Sequence, residues 1–313
     1  MTILPSVTSD TINQTTTKMN PITVLSLFDG ISCGQIALKR AGIPVKTYYA
    51  SEIKKSAILV TQKHFPNTIQ LGDVTKIDFT QFRGKVDLLI GGSPCQDFTR
   101  ILGGSKKGLK GSKSCLFWEY LRALKECAPR YFLLENVKMK KQSQDEISAL
   151  LGVEPIRINS SLVSFQKRDR LYWTNIPNVT QPADRHMSFQ DFKDTDSDYC
   201  HLFMLSPTEY HQRMWNNGRG RTERVVWQCN NVTYADKVGC LKRVISAPCN
   251  LVACDDFCRT LTTHEAEAAQ TLPKGYLEEC SKNQLYDLTG DSWTVDVIAH
   301  LFSSLKQVLM KGE

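Results

Sequence analysis

The chain has 313 residues, 41% of them hydrophobic and 23% charged, with 39 Lys and Arg against 32 Asp and Glu. That length buries a sizeable core, as one large domain or two modest ones, and a net charge of +7 permits a polyanionic partner without demanding one. No apolar run reaches the roughly 18 residues that a membrane span needs, the N-terminus lacks a secretory pattern, and 11 cysteines, an odd number, argue for free thiols in a reducing compartment.

Residues 1–20 are rich in Thr, Ser and Asn and read as a mobile tail. Ile22–Phe28 is an apolar run that ends in a Gly-containing loop. Gln35–Ala41 has helical spacing and Gly42 stops it. Tyr48–Glu52 reads as a second strand, Lys54–Phe65 as a helix, Thr68–Val74 as a third strand and Val86–Gly91 as a fourth. Leu116–Cys127 is helical in pattern, and Tyr131–Val137 is a fifth strand. Short apolar strands alternating with helices predict parallel pairing through right-handed crossovers, so the first half is a doubly wound α/β domain. The alternation is lost over 178–256 and order returns near Arg259. Leu288–Lys306 closes the chain with a helical run behind a Gly-Asp-Ser turn. The expectation is an α/β core of residues 21–177 and 257–313, interrupted by a smaller irregular insert at 178–256.

Three strand ends carry polar groups at one sheet edge, where open α/β sheets bind ligands. The first runs into Phe28-Asp29-Gly30-Ile31-Ser32-Cys33-Gly34, the second ends at Glu52, and the third at Asp73. Glycines let backbone approach a ligand, and the helix that follows favours anionic groups at its start. The spacing Gly-x-x-x-Gly does not fit a dinucleotide fingerprint. A tight turn without ligand is the plain alternative, and Asp29 and Asp73 read equally well as caps.

The fourth strand leads into Gly91-Gly92-Ser93-Pro94-Cys95-Gln96, a rigid turn that can present a thiol at the mouth of the crevice. Thr99–Ser114 follows, with Arg100, Lys106, Lys107, Lys110 and Lys113 and no acid. It reads as a lid over a phosphate backbone, or as a solvated loop. The fifth strand ends in Glu135-Asn136-Val137, which brings a carboxyl close to the thiol-bearing loop. Alternation along Gln166-Lys167-Arg168-Asp169-Arg170 sets Gln166, Arg168 and Arg170 on one face. Paired guanidiniums suit phosphate or carbonyl oxygens.

In this order the motifs resemble those of the DNA cytosine-5 methyltransferase family, with Ser26-Leu27-Phe28-Asp29-Gly30-Ile31 and Asp291-Ser292-Trp293-Thr294-Val295 similar to its animal de novo branch. The resemblance covers residues 22–177 and 257–308. It implies a Rossmann-like class I fold that uses S-adenosylmethionine. Phe28, Asp29, Gly30 and Ile31 would line the cofactor site, Glu52 would bind ribose and Asp73 adenine. Ile53, Val74 and Gly92 would lie beside them, and Ser292 and Trp293 would close the pocket. Cys95 would be the nucleophile, Glu135 would bind a flipped cytosine, and Arg170 with Arg168 would hold the base and a nearby phosphate. Arg259 and Thr260 would buttress the insert, and 178–256 would be the target-recognition region. Asp291 departs from the Asn or Arg common in the family before the final Ser, and an acid there bears on the methionine carboxylate.

Within the insert, Arg213, Arg219, Arg221 and Arg224 stand near Trp215 and Trp227 and read as DNA contacts, with a solvated loop as the alternative. Cys229, Cys240, Cys249, Cys254, Cys258 and His264 crowd the same region. No Cys-x-x-Cys pair occurs, so no metal site is assigned. The partner expected is double-stranded DNA, with no membrane partner; the oligomeric state is left open, a monomer being favoured over an oligomer. The setting expected is the cytoplasm of a bacterial or phage-infected cell, as for a restriction–modification enzyme, because no reader domain is appended (a eukaryotic host would put it in the nucleus). A tRNA cytosine-5 methyltransferase shares the chemistry. A silent binding module and a nicotinamide dehydrogenase are the rivals from other classes.

Overall fold

The structure is a computed structural model that describes residues 19–93, 116–205, 229–243, 249–255 and 257–311. The N-terminal tail, Cys95 and the basic residues Arg100, Lys106, Lys107, Arg219 and Arg221 lie outside these residues, as do Lys110, Lys113, Arg213, Arg224, Trp215 and Trp227.

The elements begin with β1 (Ile22–Leu27), α1 (Cys33–Ala41), β2 (Val45–Ser51), α2 (Lys55–His64), β3 (Ile69–Gln70) and β4 (Leu88–Gly92). They continue with α3 (Leu116–Cys127), β5 (Tyr131–Val137), α4 (Lys141–Leu151), β6 (Ile156–Asn159) and β7 (Asp169–Thr174). A short α5 (Ser197–His201) precedes β8 (Cys229–Asn231), β9 (Cys249–Ala253) and β10 (Cys258–Arg259). The last described elements are α6 (Thr263–Ala269), α7 (Lys282–Asp291) and α8 (Val295–Lys311).

The main sheet runs in the order β3-β2-β1-β4-β5-β7-β6. The first five strands pair in parallel, and β7 is antiparallel to both β5 and β6. Order reverses between β1 and β4, which opens a crevice at their carboxyl ends. Parallel strands are covered on both faces and therefore read as continuous apolar runs. Val24, Leu88, Ile90 and Leu133 face one core with α1 and α8, while Leu25, Leu27, Leu89 and Leu134 face a second core with α3 and α4. This is the α/β, Rossmann-like fold.

Several boundaries differ from the sequence reading. The third strand shrinks from 68–74 to two residues, because Asp73 caps a 3-10 turn at Val74–Lys76 instead of continuing the ladder. Its Oδ1 accepts from Thr75 N (3.0 Å) and Thr75 Oγ1 (2.8 Å). The closing helical run is two helices: Leu288–Asp291 ends α7, Ser292 is extended, and α8 starts at Val295. The second strand starts earlier, at Val45, and ends at Ser51, so Glu52 lies just beyond it. Described parts of 178–256 share the first core, through Phe189, Phe203, Val232, Val238, Leu241 and Val252. A small sheet, β10-β9-β8, forms there.

Candidate active site

The crevice is built from strand ends. The loop after β1 is strained, with Phe28, Gly30 and Ser32 all at φ between 55° and 59°. Only glycine takes that region at no cost, and such strain gathers at functional sites. Glu52 holds this loop in register: its Oε2 accepts from Gly30 N (2.8 Å), and its Oε1 from Ile53 N and Lys54 N (both 2.8 Å). Asp29 is buried among Ser32 and Tyr48, whose hydroxyl donates to Asp29 Oδ1 at 2.8 Å. Burial raises its carboxyl to about 6 against these hydrogen bonds, with neighbouring Glu52 adding to the rise. Asp29 is thus an internal tie of the loop, and Asp73 is a turn cap whose carboxyl is lowered by the Thr75 amide and hydroxyl.

A methyl added at Gly30 or at Gly72 would meet no atom within 4 Å, so both strand ends border open space. Ile53 presents its side chain there at 72% exposure, although core-type residues normally hide. Val74 is buried in the second core.

On the other side of the crevice, Glu135 sits at the end of β5, opposite Gly92 of β4. Arg170 Nε meets Glu135 Oε1 at 2.8 Å, and Trp293 Nε1 donates to Oε2 at 3.1 Å. Trp293 and Glu135 are close-packed over Gly92: a Cβ on it would fall 2.9 Å from Trp293 Nε1 and 3.0 Å from Glu135 Oε2. Asn136 Nδ2 anchors Ser93, the last described residue before Pro94 and Cys95, through its carbonyl (3.3 Å) and hydroxyl (3.1 Å).

Arg168 has a different environment from Arg170. It is 4% exposed, and its guanidinium donates to Leu241 O (3.4 Å), Gly290 O (3.0 Å), Ser292 O (2.8 Å) and Cys240 Sγ (3.3 Å). It therefore rivets the segment around Cys240 to the turn before α8. Gln166, fully buried, ties the same segment to the end of α6, accepting from Leu241 N (2.8 Å) and donating to Ala269 O (3.0 Å). The Ser292 hydroxyl is spent on Leu288 O (2.6 Å). Ser292 and the Trp293 backbone also contact the Cys33 thiol, which burial pushes up to about 12.

Asp291 turns away from this interior. It pairs with Lys54 Nζ (3.0 Å) and Arg243 Nε (3.2 Å), and Asp287 takes both cations as well (3.0 and 2.9 Å). The acid that departs from the family pattern is thereby neutralised at the crevice rim. Arg259 is buried against Glu265 (2.8 Å) and donates to Asp194 O (3.1 Å), tying α6 to the segment before α5. Thr260 N donates to Phe203 O at 3.2 Å. Sequence reasoning missed Cys240, Asn136 as an anchor and Lys54. The pairing partners of all three are distant in sequence, so no spacing announces them.

The fold is Rossmann-like, with polar groups gathered at its strand ends. The profile of the C-5 cytosine-specific DNA methylase family matches residues 22–151. The chain is similar to that family over this segment. It is 40% identical over 169 residues to the orphan methyltransferase M.Rho11sI of Bacillus phage rho11s, covering 49% of this chain and 33% of the relative. It is 38% identical over 128 residues to the type II methyltransferase M.Eco47II of Escherichia coli, covering 40% of this chain and 30% of that relative. These matches span about a third of each relative's length. In fold it is similar to the S. pombe Dnmt2 methyltransferase (TM-score 0.68, 20% identity, 92% of this chain and 99% of that one). The Entamoeba histolytica methyltransferase EhMeth is similar too (TM-score 0.72, 14% identity, 93% and 99%).

Proposed function

We propose that this protein transfers a methyl group from S-adenosylmethionine to carbon 5 of cytosine in double-stranded DNA, through a covalent Cys95 adduct on a flipped base. The observation that carries the reading is the buried Glu135 carboxyl, bonded to Arg170 and Trp293 beside Gly92, just upstream of Cys95.

The residues at the first three strand ends fit an adenosyl group. Glu52 and Asp73 offer carboxylates to hydroxyl and amino donors, Ile53 offers an exposed apolar surface, and Gly30 and Gly72 border open space. Phe28, Asp29, Ile31, Val74, Gly92, Ser292 and Trp293 complete the pocket in this reading. Bound there, S-adenosylmethionine supplies an electrophilic methyl.

The chain's own groups do the remaining work. Carbon 5 of cytosine is a poor nucleophile. Addition of the Cys95 thiolate to carbon 6, while Glu135 shares a proton with ring nitrogen 3, moves electron density onto carbon 5. Once carbon 5 carries the methyl, its proton leaves to solvent base and Cys95 is expelled, which restores the ring. None of these atoms can be reached inside a base stack, so the cytosine must swing out. Arg170 fixes the Glu135 carboxyl, and Arg168 holds the surrounding frame. Residues 178–256 are the target-recognition region in this reading, and Arg100, Lys106, Lys107, Arg219 and Arg221 contact the DNA backbone. The bacterial and phage relatives favour a modification enzyme in the cytoplasm. The family is named for DNA, which favours DNA over tRNA as the substrate.

The test is methyl transfer from labelled S-adenosylmethionine to duplex DNA, single-stranded DNA and tRNA, wild type against Cys95→Ala. The expected result is label recovered from duplex DNA as 5-methylcytosine and absent with the variant. Label in tRNA alone, or undiminished transfer by Cys95→Ala, refutes the reading.

A further inference from the structure

Cys240 is the one described thiol that stands against the candidate catalytic arginines. Its Sγ is 3.3 Å from Arg168 Nη1 and 3.9 Å from Arg170 Nη2. Arg170 in turn reaches Glu135 at 2.8 Å, so carboxyl, guanidinium, sulfur and second guanidinium form one chain. Two features make the sulfur more than filler. Arg168 is buried, and among the described residues its other acceptors are the carbonyls of Leu241, Gly290 and Ser292, with no carboxylate. A buried guanidinium without a counter-charge is costly. Two guanidiniums held side by side also repel, and an acceptor between them offsets that repulsion.

The sulfur is itself held rigidly. Val238 N donates to Phe165 O and Lys167 N to Val238 O (both 2.9 Å), which pins the segment that carries it. Gly239 exchanges two 2.8 Å bonds with the Asn250 side chain, and Leu241 N donates to Gln166 Oε1 at 2.8 Å. Cys240 is therefore clamped on both sides, with its sulfur aimed at the arginines.

We infer that Cys240 is a positioning residue: its sulfur is the shared acceptor that keeps Arg168 and Arg170 side by side and so holds Arg170 on the Glu135 carboxyl. Burial pushes this thiol up, but the Arg168 and Arg170 guanidiniums outweigh that and leave it below its ordinary value, which favours the thiolate. Cys240 touches no reacting atom and acts through Arg170. The inference rests on the methyltransferase reading for its consequence, not for its geometry.

The experiment compares wild type, Cys240→Ser and Cys240→Ala by three readouts: kcat on unmethylated DNA across pH, S-adenosylhomocysteine affinity by calorimetry, and heteronuclear NMR of arginine Nε–H groups. In wild type, slowly exchanging Nε–H signals are expected, one of which Glu135→Gln shifts and thereby assigns to Arg170. Cys240→Ala should lose that signal and at least ten-fold in kcat, with affinity for S-adenosylhomocysteine within about two-fold. Cys240→Ser keeps an acceptor but not the charge. It should recover part of the signal and lack the acidic limb that thiolate formation gives the wild-type kcat profile. An unchanged Arg170 signal in Cys240→Ala overturns the inference. So does loss of S-adenosylhomocysteine binding in parallel with kcat, which would make Cys240 a merely structural residue. No methyl transfer by wild type would refute the methyltransferase reading instead, and the NMR comparison would still judge Cys240.

Discussion

Individual side chains carry the chemistry, and their surroundings set what each can do. Glu135 is bonded on both carboxyl oxygens, so Glu135→Gln keeps the volume but loses the anion that Arg170 faces. A positioned acid–base group is worth about 100-fold to 10,000-fold in rate, and the variant should lose at least about 100-fold in kcat in the methyl-transfer assay while still binding S-adenosylhomocysteine. Asp29 predicts a pH effect on stability. Its carboxyl is raised to about 6, so the folded chain holds that proton more tightly than the unfolded chain does. Stability from this group is fully present below about 4 and is lost as pH rises through about 6, a change of up to about 3 kcal/mol. Thermal melts from pH 4 to 7 should show Asp29→Asn rising in Tm relative to wild type across that window. A constant difference would contradict the buried, proton-holding Asp29. Asp291 is the opposite case. It is half-exposed and shares Lys54 and Arg243 with Asp287, and such surface pairs contribute about 0–1 kcal/mol. Asp291→Asn should therefore leave Tm almost unchanged. A rise in S-adenosylhomocysteine affinity above about three-fold would mean the acid does act on the pocket.

At the scale of elements, the informative contact is between α7 and the segment Val238–Arg243. A Cβ on Gly290 would lie 2.2 Å from Arg243 N and 2.4 Å from the Lys242 carbonyl carbon. Both neighbours are backbone and cannot rotate away. Overpacking of this kind costs roughly 1–3 kcal/mol, so Gly290→Ala should lower the denaturation midpoint measurably, whereas alanine at Gly152, which nothing crowds, should act only through its positive φ. The same contact explains why the Gly-Asp-Ser turn read as the start of one helix is the end of another. The carbonyls of Gly290 and Ser292 are drawn to Arg168, and the Ser292 hydroxyl caps Leu288, so the chain must break there. Helix α4 and strand β6 were not anticipated. Lys141–Leu151 opens without a capping side chain and β6 is four residues long, so neither carries a strong local signal.

The molecule as a whole is an open sheet with a core on each face, and the described parts of 178–256 are packed into the first of these. In the methyltransferase reading its net charge of +7 acts on DNA through phosphate contacts. Duplex affinity should fall linearly on a log–log plot against salt, and removing Lys106 and Lys107 together should reduce the slope by about 1.4–1.8. An unchanged slope would take that loop out of the interface. By itself the sequence determined the alternating strands of the first half, the polar strand ends and the order of motifs, because parallel strands buried on two faces must be apolar runs and their loops must be polar or glycine-rich. Glu52, Glu135 and the crevice edge were legible for that reason. Only the tertiary structure decided the role of Asp29 as an internal tie, the split between Arg168 as rivet and Arg170 as partner of Glu135, and the outward turn of Asp291. Each depends on which group from more than a hundred residues away, or from the next strand, comes within about 3 Å, and a hydrogen bond of that length has no signature in local spacing.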